Sequence, residues 1–417
     1  MKRDTRILRA GSEPEANFGI LNPPVYHAST IAASSLEDRK YRADNRYEEG
    51  VFAYGLDGTP TQTAFEKAVA CLEGAERSIA LPSGLAAVTV SLLAFLKTGD
   101  HLLMVDTAYG PTRVFCEKFL RPIGIDVTYY DPLIGKGISN LLRPTTRVVY
   151  AESPGSATFE IQDIPAIVEA TRSHDAVVIV DNTWAAGYYF RPLEIGADLS
   201  LQAATKYIGG HSDLMLGTIA LRSDLYTQVK STARMFGYHA APDDCYLALR
   251  GMRSMPTRLA HHQKSARHIA HWLNDRPEVS AVLHPSLPSC PGHEIWQRDF
   301  TGSTGLFSII LESGYSDSAV ACMVDGLELF NIGSSWGGVE SLVLRQHPEG
   351  SRSAVPWAQT GAILRFHIGL EDVDDLKTDI EAGFHRLNAQ YVPATAKPHL
   401  RQPATRPGIR NLQDAAT

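Results

Sequence analysis

Between Thr59 and Gly251 short β-branched runs alternate with helical patterns, and no other feature of the chain restricts its fold as much. The runs are Ser78 to Leu81, Leu102 to Asp106, Val127 to Tyr130, Arg147 to Ala151 and Val177 to Asp181. Helical periodicity separates them over Gln62 to Leu72, Leu85 to Leu96, Thr112 to Phe119 and Ile164 to Arg172. A parallel pair of strands needs a crossover long enough for a helix, so this order predicts an α/β fold with a mostly parallel sheet covered by helices. The stretch from Ser78 to Leu96 carries no charge, but Pro82-Ser83-Gly84 cuts it into a strand and a helix. It reads as buried core, not as a membrane span.

On either side the texture changes. Residues 1–58 are polar and irregular, with Asn22-Pro23-Pro24 and a charged run from Glu37 to Glu49, and predict an extended arm. Past Met255-Pro256 come a long amphipathic helix from Arg258 to Leu273, strands at Gly305 to Leu311, Ser341 to Leu344 and Ile363 to Ile368, and a helix from Val373 to Leu387. The expected organisation is therefore an arm over 1–58, an α/β domain over 59–255 and a smaller α+β domain over 256–391. Pro393, Pro398, Pro403 and Pro407 among mixed polar residues predict a disordered tail over 392–417. At 417 residues the chain is long enough for two or three packed domains.

Several function classes drop out. Lys plus Arg total 39 against 46 Asp plus Glu, a net charge of -7, so no basic field grips a nucleic acid. Five cysteines without a CxxC pair fit free thiols in a reducing compartment. Met1 to Arg6 carries charges with no apolar run behind it, so no secretory signal is expected and a cytoplasmic location is. His261, His262, His268 and His271 lie along one helix without an HExxH pattern and read as a helix face, so no metal is expected. There is no GxSxG elbow, P-loop or GxGxxG fingerprint.

Three places could carry chemistry. Ile79 to Val88 is a strand that breaks at Ser83-Gly84 into an apolar helix, where free N–H groups and the helix dipole converge on an anion; an ordinary helix cap would look the same. Val177 to Trp184 is a buried strand ending in Asp181, at the rim where α/β proteins bind ligands, or merely capping a turn. Gln202 to Gly210 is a small-residue loop with one amine, Lys206, and no carboxylate to neutralise it. Desolvation would lower the pKa of such a lysine toward that of a usable nucleophile, though a solvated lysine is the commoner case. Phosphate clamp, pyridinium partner and reactive lysine are the three parts that pyridoxal phosphate needs.

These segments, with Phe52-Ala53-Tyr54-Gly55, Asp106-Thr107-Ala108-Tyr109, Glu152-Ser153-Pro154-Gly155-Ser156, Val180 to Gly187, Gln202 to Asp213, Ser335-Trp336-Gly337-Gly338 and Arg365 to Leu376, resemble the Cys/Met-metabolism family of fold-type I pyridoxal-phosphate enzymes. The likeness runs from about Asn22 to Leu387. It implies a transferase-like fold of type I and pyridoxal 5'-phosphate as cofactor, with Lys206 joined to the cofactor aldehyde and removing the substrate α-proton. By the same resemblance Asp181 partners the ring nitrogen, Tyr109 stacks on the ring, and Gly84, Leu85 and Thr205 bind the phosphate. Tyr54 reaches that phosphate and the substrate from a neighbouring subunit, and Arg365 holds the substrate carboxylate in a pocket lined by Ser335 and Trp336. Lys206, Tyr109 and Tyr54 are the catalytic candidates. The implied assembly is a homotetramer with shared sites, acting on a small amino-acid substrate.

The resemblance implies carbon–sulfur β-elimination, with L-cystathionine yielding homocysteine, pyruvate and ammonia in methionine biosynthesis. γ-Replacement, as in a cystathionine γ-synthase or sulfhydrylase, is the alternative, and a ligand-binding protein on the same scaffold is a third reading. Two positions depart from the family pattern. Leu56 stands where an arginine usually follows the phosphate tyrosine, and Ser334 stands where β-lyases usually have tyrosine and many γ-acting relatives glutamate. Pro111, in place of the cysteine of methionine γ-lyases, speaks against that relative.

Overall fold

The computed structural model describes residues 1–390, and the tail expected to be disordered, 392–417, lies outside the described residues. The chain opens with α1 (Arg3–Arg9), α2 (Leu36–Asp44) and α3 (Pro60–Glu73). It then alternates through β1 (Arg77–Leu81), α4 (Gly84–Phe95), β2 (His101–Val105), α5 (Gly110–Phe115), β3 (Asp126–Tyr130), β4 (Thr146–Glu152), α6 (Ile164–Thr171), β5 (Val177–Asp181), β6 (Leu199–Ala203) and β7 (Gly217–Leu221). These strands form one sheet in the order β1-β7-β6-β5-β4-β2-β3. From β6 to β3 every pairing is parallel, while β7 runs antiparallel to both β6 and β1. Val148, Val149, Tyr150 and Ala151 are fully buried, as strands covered on both faces require.

The segment 1–58 is not extended throughout. Ile7 on α1 is 1% exposed and joins the core beneath the first sheet, whereas α2 buries no residue and is held by its cap, the Ser35 hydroxyl accepting the Asp38 N–H.

After α7 (Ser223–Met235) and α8 (Pro242–Met252), the long helix α9 (Met255–Asn274) joins two cores. Met255 and Leu259 pack into the first, and Ala266, Ile269 and Leu273 into the second, the periodicity that one helix face demands. The second core lies against a sheet ordered β10-β11-β12-β9-β8. Its strands are β8 (Val279–Leu283), β9 (Leu306–Leu311), β10 (Asn331–Ile332), β11 (Leu342–Gln346) and β12 (Ile363–His367). Helices α10 (His293–Asp299), α11 (Asp317–Asp325) and α12 (Val373–Ala389) complete it. Asp372 caps α12 by accepting the Asp374 N–H, so the carboxylates there serve the helix start. No helix among the described residues is long and apolar enough to cross a membrane.

Candidate active site

The parallel strands β4 and β5 deliver Glu152 and Asp181 to the carboxyl edge of the sheet, at paired positions. Beyond Asp181 the chain turns, and the turn is tied down by the acid itself: Oδ1 accepts the Thr183 N–H at 3.1 Å and its hydroxyl at 2.6 Å. Oδ2 accepts the Tyr150 hydroxyl at 3.4 Å. The turn-capping role and a ligand-facing role thus coexist in one side chain. Burial raises the pKa of Asp181, while Thr183, Tyr150 and the nearby Lys206 charge pull it back down.

Lys206 sits in the turn between β6 and β7, held by its own N–H on Ala203 O at 3.0 Å and its carbonyl on the Gly210 N–H at 2.8 Å. Its Nζ donates to Ser335 Oγ at 2.7 Å and lies 5.4 Å from the centroid of the Trp336 ring. The amine pKa is lowered to about 8, by burial first and the Arg365 charge second, with Asp181 opposing both. The loop that brings Ser335 so close depends on Gly337. At φ +88° a Cβ there would come within 3.0 Å of the Lys206 backbone, so only glycine lets the two loops touch.

Arg365 extends from β12, where its Nη2 donates to Ser334 O at 3.0 Å. Burial lowers its pKa to about 10, and the Tyr109 phenol acts in the opposite sense. Tyr109 precedes α5, 47% exposed, with its backbone N–H donated to Glu152 Oε2 at 2.7 Å. Burial raises the pKa of its phenol, and the Arg365 charge opposes. Lys206, Asp181, Tyr109, Arg365, Ser335 and Trp336 therefore converge, although they come from two different sheets and the loops beside them.

The other expected site residues behave differently. Ser83 accepts the Ala86 N–H at 3.0 Å, leaving the amides of Gly84 and Leu85 at the start of α4 with no protein acceptor among the described residues. Gly84 is required there, because a Cβ would stand 2.6 Å from Ala203 Cβ on β6. The Thr205 hydroxyl is engaged within the chain, accepting the Leu216 N–H at 3.0 Å and lying 3.2 Å from Leu216 O. Tyr54 bridges to Thr30 and is 48% exposed, and within one chain it has no hydrogen bond or ring contact to this cluster among the described residues. Leu56 lines a hollow with Lys230 and Arg234, but those cations are already paired, Lys230 with Glu66 at 3.1 Å and Arg234 with Asp57 at 2.7 Å. An adjoining cavity of about 270 Å³ lies between residues 46–52 and α3, and its Lys67 is likewise paired, with Glu49 at 3.0 Å.

Sequence reasoning assigned no role to Glu152, Tyr150 or Asp106. Glu152 ends its strand just as Asp181 does, and that shared signal was available. Asp106, buried, accepts the N–H groups of Ser353, Ala354 and Val355 and pairs with Arg113 and Arg352. It thereby fastens a segment from the far end of the chain three residues before Tyr109. Nothing in the local sequence shows such a contact.

The donor set fits pyridoxal phosphate: a lysine near neutrality, an acid at a strand end, and unspent amides at a helix start. Residues 4–385 match the family described as Cys/Met metabolism PLP-dependent enzymes, and the chain belongs to that family. It is 45% identical to a putative cystathionine beta-lyase of Rhizobium johnstonii, over 93% of this chain and 96% of the relative. It is 43% identical to the cystathionine beta-lyase MetC of Escherichia coli, over 93% and 99%. Among solved structures, the cystathionine gamma synthase of Xanthomonas oryzae pv. oryzae in complex with cystathionine superposes with a TM-score of 0.84 at 30% identity, covering 94% of this chain and 99% of that one.

Proposed function

We propose that this chain is a carbon–sulfur β-lyase that cleaves L-cystathionine to homocysteine, pyruvate and ammonia in methionine biosynthesis. The observation that carries the reading is the convergence of Lys206, Asp181 and Arg365 in a protein 41–45% identical to four bacterial proteins named as cystathionine beta-lyases, one of them as putative. Bound in this site, pyridoxal phosphate supplies a sink for the electrons left at the substrate Cα when its proton departs.

The chain's own groups do the rest. Arg365 presents a fork of N–H donors to the substrate α-carboxylate, next to Ser335 and Trp336. Lys206, poised near neutrality, takes the α-proton as a free amine and can return it as an ammonium to the departing sulfur. The Cβ–S bond breaks, the sulfur leaves as a thiol, and the three-carbon remainder takes up water to become pyruvate and ammonia. Asp181 holds a fixed negative charge where the ring nitrogen would carry its proton. Gly84, Leu85 and Thr205 would hold the phosphate of the cofactor, and Tyr109 would face its ring. Tyr54, exposed and out of contact with the cluster in its own chain, would complete the site from a neighbouring subunit of a homotetramer, with 1–58 as the arm between subunits, 59–255 as the cofactor-binding domain and 256–391 as the smaller domain. A cytoplasmic location agrees with free thiols, the state of all five cysteines.

γ-Replacement is favoured by one observation, the likeness to a γ-synthase structure. Product assay separates the readings. Pyruvate and a thiol from cystathionine support the lyase; cystathionine formed from an activated homoserine ester and cysteine, without pyruvate, supports the transferase.

A further inference from the structure

Glu152 and Asp181 leave adjacent parallel strands at paired positions, so their carboxyl groups project from the same face at the same height. Two acids so placed and half-buried resist ionising together, because the second charge bears both the repulsion and the lost hydration. Their partners are unequal. Asp181 receives the Thr183 N–H and hydroxyl and the Tyr150 hydroxyl, and faces the charge of Lys206. Glu152 receives one donor, the Tyr109 N–H on Oε2 at 2.7 Å.

We propose that Glu152 holds the shared proton and works as a neutral carboxylic acid, a positioning residue that leaves Asp181 the sole anion of the pair and tethers the start of α5 beneath Tyr109. The inference rests on this site being the cofactor site, not on which thioether is cleaved. Burial first, and then the Asp181 charge, push the Glu152 pKa well above the usual carboxylate range, with the Tyr109 N–H opposing. The titratable groups around it are the Tyr109 phenol at the start of α5, the buried Tyr150 on its own strand and Asp181 on β5, and burial raises both phenols as well. The cations of the site, Lys206 and Arg365, act on Asp181 and Tyr109 respectively. A neutral Glu152 leaves the ring nitrogen one acid to answer to, where two ionised acids would over-stabilise its proton and repel the substrate carboxylate.

The test is Glu152→Gln, which is neutral, nearly isosteric and keeps an acceptor for the Tyr109 N–H. In infrared difference spectra of the cofactor-free proteins, wild type should show a protonated-carboxyl C=O band that E152Q lacks. The wild-type-minus-E152Q difference band should persist as pH rises past the usual carboxylate range, while the Glu73 carboxyl, raised to about 7, is common to both proteins and cancels. In the holoenzymes, the pH midpoint of the visible band should agree between wild type and E152Q within about 0.3 units, whereas Glu152→Ala should weaken cofactor binding about tenfold by freeing Tyr109. An absent difference band between wild type and E152Q, or a midpoint lowered by about one unit or more in E152Q, would show an ionised Glu152 and overturn the proposal. None of these measurements uses cystathionine, so a failure here is distinct from a failure of the lyase reading.

Discussion

The side chains of Lys206 and Ser335 meet across the junction between the two sheets, Nζ donating to Oγ at 2.7 Å although 129 residues separate them in the chain. A neutral hydroxyl accepts the amine's hydrogen bond, so no carboxylate in contact holds its proton, and burial lowers its pKa to about 8. Below that pH the amine is protonated and unreactive; above it the free base prevails. In cofactor-free protein the rate at which added pyridoxal phosphate gains its protein-bound visible band should rise through about pH 8 and then level off. A rate flat from pH 7 to pH 9 would contradict the assigned amine. Lys206→Ala should form no such band and lose roughly 10³-fold or more of its turnover.

Asp181→Asn keeps the size and much of the hydrogen bonding to Thr183 but removes the charge. Turnover should fall roughly 10²- to 10³-fold, with KM changing far less, because the lost charge matters most as electrons move into the ring. Steady-state kinetics of Asp181→Glu alongside should recover part of the rate; equal rates for Asn and wild type would remove Asp181 from the chemistry.

Arg365→Lys leaves a cation but not a fork. Loss of a charge-assisted bidentate contact, about 1.5–3 kcal/mol, corresponds to a fall in kcat/KM of roughly 10- to 150-fold, carried mostly by KM. The same substitution should hardly alter uptake of the cofactor, measured by its visible band.

Glu73 ends α3 buried beneath the site, accepting the side-chain amides of Asn182 and Gln202, and burial pushes its pKa up to about 7. Its folded pKa lies above the unfolded value, so the contribution of its proton to stability is full in acid and is lost as pH rises toward about 7. Denaturant unfolding should show wild type losing roughly 3 kcal/mol more than Glu73→Gln between about pH 4.5 and about pH 7. Parallel pH profiles for the two proteins would refute the buried titration.

Gly84→Ala places a Cβ against Ala203 Cβ, at 2.6 Å before anything moves. The helix start must shift away from β6, and overpacking of this kind costs about 1–3 kcal/mol. Cofactor affinity should drop, as equilibrium titration would show, because the displaced amides belong to the same turn.

Most of the first sheet was legible. The run Val177 to Asp181 and the uncharged stretch at Ser78 to Leu96 became β5 and the β1–α4 unit, since apolar runs buried on both faces announce themselves in any context. β6 and β7 were not foreseen. Ser200, Gln202 and Thr218 interrupt their apolar pattern, and these polar side chains are tolerated because the strands lie inside the sheet, where tertiary neighbours surround them. The polar arm hid α1 as well, whose single buried anchor, Ile7, is too little for a periodicity to show. In the site, Lys206 and Asp181 stood out by local chemistry, one an amine in a loop without acids and the other a carboxylate closing an apolar strand.

Sequence alone determined which segments bury themselves, which residues are candidates for the reactive groups and which family they resemble, because burial patterns and motifs are local properties of the chain. Tertiary structure decided what those groups are: that Ser335 reaches Lys206, that Glu152 stands beside Asp181, and that Asp106 fastens residues 353–355 next to Tyr109. A pKa or a hydrogen bond depends on distance through space, and the distances here are set by strand order and by two cores that share one long helix. No reading along the chain measures those.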